Sequence, residues 1–351
     1  MASRKKNTER ITINDIARIS GYSKTAVSFA FNNPARISAK TRKHILEVAE
    51  KMGYIPDPMA RNLSLRRHHT IGFLLPQVIT VAFQNPYLSQ IFQGIGETCQ
   101  KRGYTVMVIP PVRQSIEEGV KGAAVDALIT LGLKPEMEVV EIIQRRRIPF
   151  VTIDGIPSEE IPSINIDDRR AAEKLMAYIL QLGHRQIAIL SLLKDQGERE
   201  EEATGVRAQR LKGYEDALKS FGLDPENSPI TEIECECSLH GGWDAARRVL
   251  EIKPRSTAVV AMSDIMALGC HAFFREHGIK IPHEISLAGF DNIPESWLVS
   301  PPLTTISQPG YEKGKKAMEL LLGIIEKKVE KRHIELETEL VIRGSCAPPG
   351  D

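Results

Sequence analysis

Residues 23–29 read Ser-Lys-Thr-Ala-Val-Ser-Phe, and their chemistry suits the edge of a base pair. Lys donates to guanine, Thr bonds to either kind of edge, and an apolar ring can touch a thymine methyl. Lys24, Thr25, Ser28 and Phe29 are candidates for the outer side of a short helix, with Ala26, Val27 and Ala30 inward. Phe29 has a second reading as a core residue. Ser23 can cap the helix.

Such a helix must be held by others. Thr12 can cap a preceding helix, with Asp15 three residues on as a near capping box. Ile13, Ile16, Ala17 and Ile19 supply its inner face, and Gly21 makes the turn. This is a helix-turn-helix, whose second helix fits the major groove. After the turn at Asn32-Asn33-Pro34, Ser38 opens a third helix with Ile45, Leu46, Val48, Ala49 and Met52 as its stripe and Gly53 as its stop. Asp57 followed by Pro58 is an N-cap and first-turn pair, so Pro58 to Ser64 can form one or two turns. Alone that segment is too short to be stable in water.

The charge agrees with this division. The whole chain carries +1, but residues 1–67 hold 14 Lys+Arg against 5 Asp+Glu, leaving 32 against 40 in the remainder. A basic head on an acidic body fits a nucleic-acid module fused to another domain. No apolar run follows Met1 and no stretch approaches the length of a spanning helix, so a cytoplasmic, nucleoid-associated protein is expected. The five cysteines are scattered and suggest free thiols. Cys235-Glu-Cys237 lacks a second pair and is a weak metal signal. There is no P-loop, no Gly-x-Ser-x-Gly and no His-Glu-x-x-His. His184, His240, His271 and His277 are isolated, so surface or capping roles are expected and no enzyme is expected.

From Thr70 onward, β-rich runs alternate with helical ones. Strands are expected at Ile71–Leu75, Thr105–Ile109, Ala127–Thr130, Phe150–Ile153, Ile187–Leu190, Ala258–Ala261 and Ile285–Ala288, with a helix over Tyr87–Arg102. The alternation predicts parallel sheets covered by helices, in two lobes, with a ligand at the carboxyl ends of the strands. Gly94-Ile-Gly96 lies inside a helix and reads as packing. Trp243 reads as core rather than as a sugar-stacking ring.

Taken together, the chain resembles the LacI/GalR repressors from end to end. The matching blocks in the head are Ala26-Val-Ser28, Ile37-Ser-Ala-Lys-Thr-Arg42, Met52-Gly-Tyr-Ile-Pro56 and Ala60-Arg-Asn-Leu63. In the body they are Asn85-Pro-Tyr87, Leu182-Gly-His-Arg185, Arg210-Leu-Lys-Gly-Tyr214 and Ser263-Asp-Ile-Met-Ala-Leu-Gly269. Ser286-Leu-Ala-Gly-Phe-Asp291, Pro301-Pro-Leu-Thr-Thr305, Gln308 and Arg343-Gly-Ser345 complete the set.

The resemblance implies an α/β fold: a three-helix helix-turn-helix head over 1–57, a hinge helix and linker over 58–69, and a two-lobed periplasmic-binding-protein-like core over 70–351. Lobe one is expected at about 70–167 and 300–328, and lobe two at about 168–299 and 329–345. It implies a homodimer (or dimer of dimers) on a pseudo-palindromic operator. DNA contacts would come from Thr12, Asn14, Ser23, Lys24, Thr25, Ser28, Phe29, Asn32, Arg36, Ser38, Thr41, Arg42, Tyr54, Pro56, Met59, Ala60 and Leu63. Lys40 and Lys43 join Arg36 and Arg42 as phosphate holders. Leu63 would be a minor-groove wedge, or else a hydrophobic linker contact. The family usually has Arg where this chain has Phe29, and a longer helix around 112–122.

The effector would lie between the lobes against Tyr87, Asp154, Arg210, Cys237, Ser263, Asp264, Asp291 and Gln308. Ligand contact is the favoured reading for Arg210 and Asp291, with a structural ion pair as the alternative, and Asp264 has a second reading as a helix cap. No cofactor is expected, only a small-molecule effector, with a sugar or sugar derivative first and a nucleobase second. The expected function is a DNA-binding regulator gated by that effector. The alternative is a two-lobed binding or sensor protein without operator-specific gating.

Overall fold

The computed structural model describes residues 11–56, 68–194, 205–225, 228–328 and 333–350. They fall into two compact units divided after His69. The expected hinge contacts Met59, Ala60 and Leu63 lie outside the described residues.

The first unit holds helices α1 (Ile13–Ser20), α2 (Lys24–Asn32) and α3 (Ala39–Met52). The Asp15 carboxylate accepts from the Thr12 backbone N–H at 3.0 Å and from its hydroxyl at 2.7 Å, fixing the start of α1. Gly21 ends it in the left-handed region at φ 73°, where a side chain would be strained. Ser23 and Ser38 cap α2 and α3, accepting from Ala26 and Thr41 N–H at 3.1 Å each. Ile16, Val27, Ala30, Ile45 and Ala49 form the buried centre. Ile19, expected to face inward, is 53% exposed. Four residues of an eight-residue helix span too wide an arc for so small a core.

The second unit is built on two six-stranded sheets. The first contains β1 (Thr70–Leu74), β2 (Thr105–Ile109), β3 (Ala127–Leu131), β4 (Phe150–Ile153), β5 (Ser163–Ile166) and β11 (His333–Leu336), in the order β11-β5-β4-β3-β1-β2. The second contains β6 (Ile187–Ser191), β7 (Ile230–Glu234), β8 (Ala258–Ala261), β9 (Ser286–Asp291), β10 (Thr304–Ser307) and β12 (Glu339–Val341), in the order β12-β10-β9-β8-β6-β7. All pairs are parallel except β10 with β12.

The sheets correct the expected lobe boundaries. β10 belongs to lobe two, although 300–307 was expected in lobe one, and β11 belongs to lobe one, although 333–336 was expected in lobe two. The chain crosses between lobes three times: after β5, after β10 and between β11 and β12.

Helices cover the sheets. Those that position the cleft are α4 (Ile79–Ala82), α5 (Pro86–Arg102), α6 (Ile116–Gly122), α7 (Glu138–Arg145), α8 (Asp168–Gln181), α9 (Val206–Ser220), α10 (Leu239–Glu251), α11 (Asp264–Glu276) and α12 (Gly310–Ile325). In lobe one, α5 and α12 lie backbone to backbone. A Cβ added at Gly94 would fall 2.1 Å from the Tyr311 carbonyl oxygen, and one at Gly314 would fall 2.0 Å from that of Ile91. The packing role read for Gly94 is therefore observed. α6 is as short as the sequence suggested, at 7 residues.

Two histidines depart from expectation. His184 is buried, and its ring lies 2.9 Å from Thr257 Oγ1 on one side and 2.9 Å from the Ala347 carbonyl oxygen on the other. It thereby ties the C-terminal tail to lobe two. His271 is also buried, with Nε2 3.1 Å from the Ser300 carbonyl oxygen. Trp243 packs edge-on against Phe273 with centroids 4.9 Å apart, consistent with its reading as core. Among the described residues no helix is long and apolar enough to cross a membrane.

Candidate functional site

In the head, Ser23, Lys24 and Thr25 at the start of α2 are exposed, as are Thr12, Asn14, Arg36, Ser38 and Arg42. Ser28, Phe29, Asn32 and Thr41 are half-buried. Phe29 stands outside the apolar centre of the head. The Arg36 guanidinium lies 5.4 Å from its ring centroid, a cation–π arrangement on the outer side. Asn32 Nδ2 donates to Ser28 Oγ at 3.4 Å, and Ser38 Oγ to Thr41 Oγ1 at 2.9 Å. Arg42 Nε donates to the Ala30 carbonyl at 3.4 Å, tying α3 to α2. The Tyr54 ring packs edge-on against Phe31, so it serves the head's own packing. Pro56 closes the described part of the head, half-buried.

The cleft in the second unit is built from strand ends and helix starts. Asp154 follows β4 at φ 54° and Asp291 ends β9 at φ 126°. Two non-glycine residues in that region, both carboxylates at one cleft, are backbone strain held in place by the surrounding fold. Tyr87 sits in the first turn of α5, where the Asn85 cap accepts from its N–H at 3.0 Å. Ser263 immediately precedes α11, Arg210 lies on α9, and Gln308 lies in the crossing between β10 and α12.

These side chains meet. Tyr87 Oη donates to Asp154 Oδ2 at 2.8 Å, and Ser263 Oγ donates to Asp291 Oδ2 at 2.6 Å. Gln308 Nε2 donates to Asp291 Oδ1. Asn85 Nδ2 reaches Cys237 Sγ at 3.6 Å, joining lobe one to lobe two. Arg210 Nε donates to Asp168 Oδ1 at 2.8 Å, and a second N–H goes to the Met262 carbonyl. Its guanidinium carbon lies 3.5 Å over the Phe290 ring centroid. The ion-pair partner of Arg210 is therefore Asp168, a residue the sequence reading passed over, rather than Asp291.

Asp264 is corrected from its expected place in the effector set. It is fully buried, with Oδ2 accepting from the Ile293 N–H at 3.0 Å and Oδ1 from Thr305 Oγ1 at 2.6 Å. Both oxygens serve lobe two's own framework. Burial, then the charge of Asp291, pushes its carboxyl up to about 8.

Burial dominates the other shifts as well. It raises Asp291 and Asp168 above the usual carboxylate range against the opposing pull of Arg210. It raises the Tyr87 phenol, helped by the Asp154 charge, and pushes the Cys237 thiol up to about 11, helped by Asp291. A protonated thiol there is a weak donor and no nucleophile.

One residue of the network is absent from the sequence expectations. Lys313, on α12, is 0% exposed, and its Nζ reaches Tyr87 Oη at 2.8 Å, Gln308 Oε1 at 2.7 Å and Asp154 Oδ1. Its signal was periodic: Lys313 shares a helical face with the buried Ala317 and Leu321, where a charge is out of place. Two adjoining cavities of about 460 and 440 Å³ open beside the network and share Asp154, Ile156, Gly205 and Val206. Each is in the range that holds a small ligand.

Comparison with known proteins agrees with both units. Residues 12–57 match the lacI family of bacterial regulatory proteins, and residues 176–346 match the periplasmic binding protein-like domain. The HTH-type transcriptional regulator Rv3575c of Mycobacterium tuberculosis is 31% identical over 97% of this chain and 98% of its own length. The HTH-type transcriptional repressor CytR of Escherichia coli strain K12 is 31% identical over 97% and 98%. A LacI family regulator from Enterococcus faecium, solved with bound ribose, is 25% identical over 80% of this chain and 99% of that one, with a TM-score of 0.68. These relatives are regulators and not enzymes. With a helix-turn-helix head, a two-lobed core and full-length relatives of one kind, the chain belongs to the LacI family of DNA-binding transcriptional regulators.

Proposed function

We propose that this chain is a repressor that binds a pseudo-palindromic operator as a homodimer and is gated by a sugar or sugar derivative held between its lobes. The observation that carries the reading is the hydrogen-bonded network joining the lobes: Lys313 binds Asp154 and Gln308, Gln308 binds Asp291, and Asp154 and Asp168, the partner of Arg210, line the adjoining cavity. Carboxylates accept from hydroxyls, and a guanidinium donates to an oxygen pair. Ribose in the Enterococcus faecium regulator and the repressor named in Escherichia coli support the two halves of the proposal.

A nucleobase needs a free ring for stacking. Tyr87 is 8% exposed and its hydroxyl is engaged by Asp154 and Lys313, which favours the sugar. For the dimer, Trp297 and Leu298 on lobe two are 60% and 67% exposed, and Ile79 and Phe83 on lobe one are also exposed. Large apolar side chains in the open suit a contact with a second copy. A DNA partner supports a cytoplasmic, nucleoid-associated reading.

The mechanism is linkage. Ligand and operator favour different lobe arrangements, so each changes the affinity of the other, typically by ~1–3 kcal/mol. The test is a fluorescence-anisotropy titration against a pseudo-palindromic duplex from the gene's own upstream region, with and without a panel of sugars and nucleobases. Operator affinity shifted by one sugar is the expected result. An affinity that no sugar changes, or that only a nucleobase changes, overturns the effector assignment.

A further inference from the structure

We infer that Lys313 sets the charge class of ligand the cleft accepts: it supplies the cation that Asp154 requires, so the site selects a neutral hydroxyl-bearing molecule over its amine counterpart. The inference rests on the sugar reading above and deepens it.

The argument is one of donors and acceptors. A lysine ammonium has three N–H groups and no acceptor. Here all three are used, on Tyr87 Oη, Asp154 Oδ1 and Gln308 Oε1. Lys313 thus has no donor to give a ligand and acts through the groups it holds, as a positioning residue. Because an ammonium can only donate, the Gln308 carboxamide must turn its oxygen toward Lys313 and its NH2 toward Asp291. Because Tyr87 Oη accepts from Lys313, its own proton goes to Asp154 Oδ2.

The result is a polarised chain that crosses from lobe one to lobe two. It leaves Asp154, which lines both cavities, with acceptor capacity beyond its two internal partners, and this asks for ligand O–H or N–H donors. It does not ask for another positive charge, since Asp154 already has one within its own lobe. Remove the ammonium, and a carboxylate only 15% exposed is left without its cation. An unpaired buried charge is strongly unfavourable, so an arriving ammonium then becomes the preferred ligand.

The position is not one that folding alone would fill with lysine. Lys313 precedes Gly314, at the closest approach of α12 to α5, and lies on the face that buries Ala317 and Leu321. An apolar side chain would satisfy that packing. Lysine here costs desolvation and repays it only through its three partners.

The test uses the full chain. Binding of glucose against glucosamine, and of galactose against galactosamine, is measured by calorimetry in mildly acidic buffer for the wild type, Lys313→Met and Lys313→Met/Asp154→Asn. In the wild type the neutral sugar is expected to bind more tightly than its amine. In Lys313→Met the ratio should move toward the amine by at least about tenfold, equal to about 1.4 kcal/mol. In the double variant, which has neither charge, the preference should return to the neutral sugar. Equal weakening of both members, or an unchanged ratio, overturns the proposal and leaves Lys313 a structural residue.

If the wild type binds neither member of either pair, the sugar reading loses its support, and Lys313 is decided separately. Thermal stability of Lys313→Ala should then rise with n-propylammonium chloride and not with n-propanol. A rise with neither, or with both equally, overturns the assignment. Should the single variants fail to fold, folding of the double variant supports the charge pairing and its failure overturns it.

Discussion

Gly314→Ala should destabilise the core, although alanine is the better helix former. The added Cβ would lie 2.0 Å from the Ile91 carbonyl oxygen and 2.9 Å from its carbon. Ordinary contact requires the two helices to part by roughly 1 Å, and overpacking of this kind costs about 1–3 kcal/mol. The helix preference of alanine over glycine returns about 1 kcal/mol. The difference runs from about 0 to 2 kcal/mol, and contact with a backbone carbonyl, which cannot swing aside, puts it in the upper half: ~1–2 kcal/mol, or a fall in Tm of about 2–8 °C. Gly96→Ala, on the partner helix, is the matched control, since nothing lies within 4 Å of its added Cβ. It should gain about 0.5–1 kcal/mol. The assay is thermal unfolding of both variants beside the wild type, followed by sugar binding. Gly314→Ala should also bind its sugar more weakly, because Lys313 moves with its neighbour. A Gly314→Ala protein that melts with or above the wild type would refute the close-approach argument, as would two variants that shift in the same direction.

Three further outcomes follow from the same geometry. Asp291→Asn should keep operator affinity within about twofold and lose about tenfold or more in effector affinity, because a carboxylate acceptor worth ~1.5–3 kcal/mol becomes a neutral amide; titration with DNA and then with sugar checks both halves. Phe29→Ala should weaken operator binding by about 1 kcal/mol or more while costing the head little stability, since the ring stands outside its apolar centre; a large drop in the melting of the head without loss of DNA affinity would show the ring to be core. Burial holds the His184 imidazole below its ordinary value of 6.5, so the folded state disfavours its protonation. Its contribution is therefore fully present above pH 6.5 and is lost as pH falls below it. Core stability should decline on that side, and the decline should be shallower in His184→Gln.

Much of the fold was legible because its signals are local. Ser23, Ser38, Gly21 and Gly53 mark helix ends by their own chemistry, and Ile71, Ala127 and Ala258 stand in short apolar runs bounded by polar residues. The strands that were missed are short, and some carry charge or polar residues throughout: Ser163–Ile166 and Thr304–Ser307 are four residues each. Ile230-Thr-Glu-Ile-Glu234 alternates too weakly to announce itself, and Glu339–Val341 is three residues long. Lobe membership of Thr304–Ser307 and His333–Leu336 was misplaced because it depends on which sheet edge stands open, a fact no local pattern carries. At the cleft, Asp154, Asp291 and Arg210 were identified through motif resemblance. Lys313, Asp168 and the internal hydrogen bonds of Asp264 depend on which side chains meet across long stretches of chain, and no local pattern carries that.

The three crossings between lobes also bear on how the protein is made. Strands β1 to β5 leave the ribosome first, but Ala317, Met318 and Leu321 of α12 belong to the same apolar cluster as Ile91, Ile129 and Val151. That helix emerges only after the intervening segment 168–307 has been synthesised, roughly 7–28 s later at ~5–20 residues per second. During that interval the sheet of lobe one carries an uncovered apolar face, of the kind that chaperones bind. Lobe two, by contrast, then lacks only the edge strand β12 and the tail held by His184. The lobe encoded second is the first to close its core, and the unfinished face of the earlier one is the place where nascent copies of this regulator would aggregate.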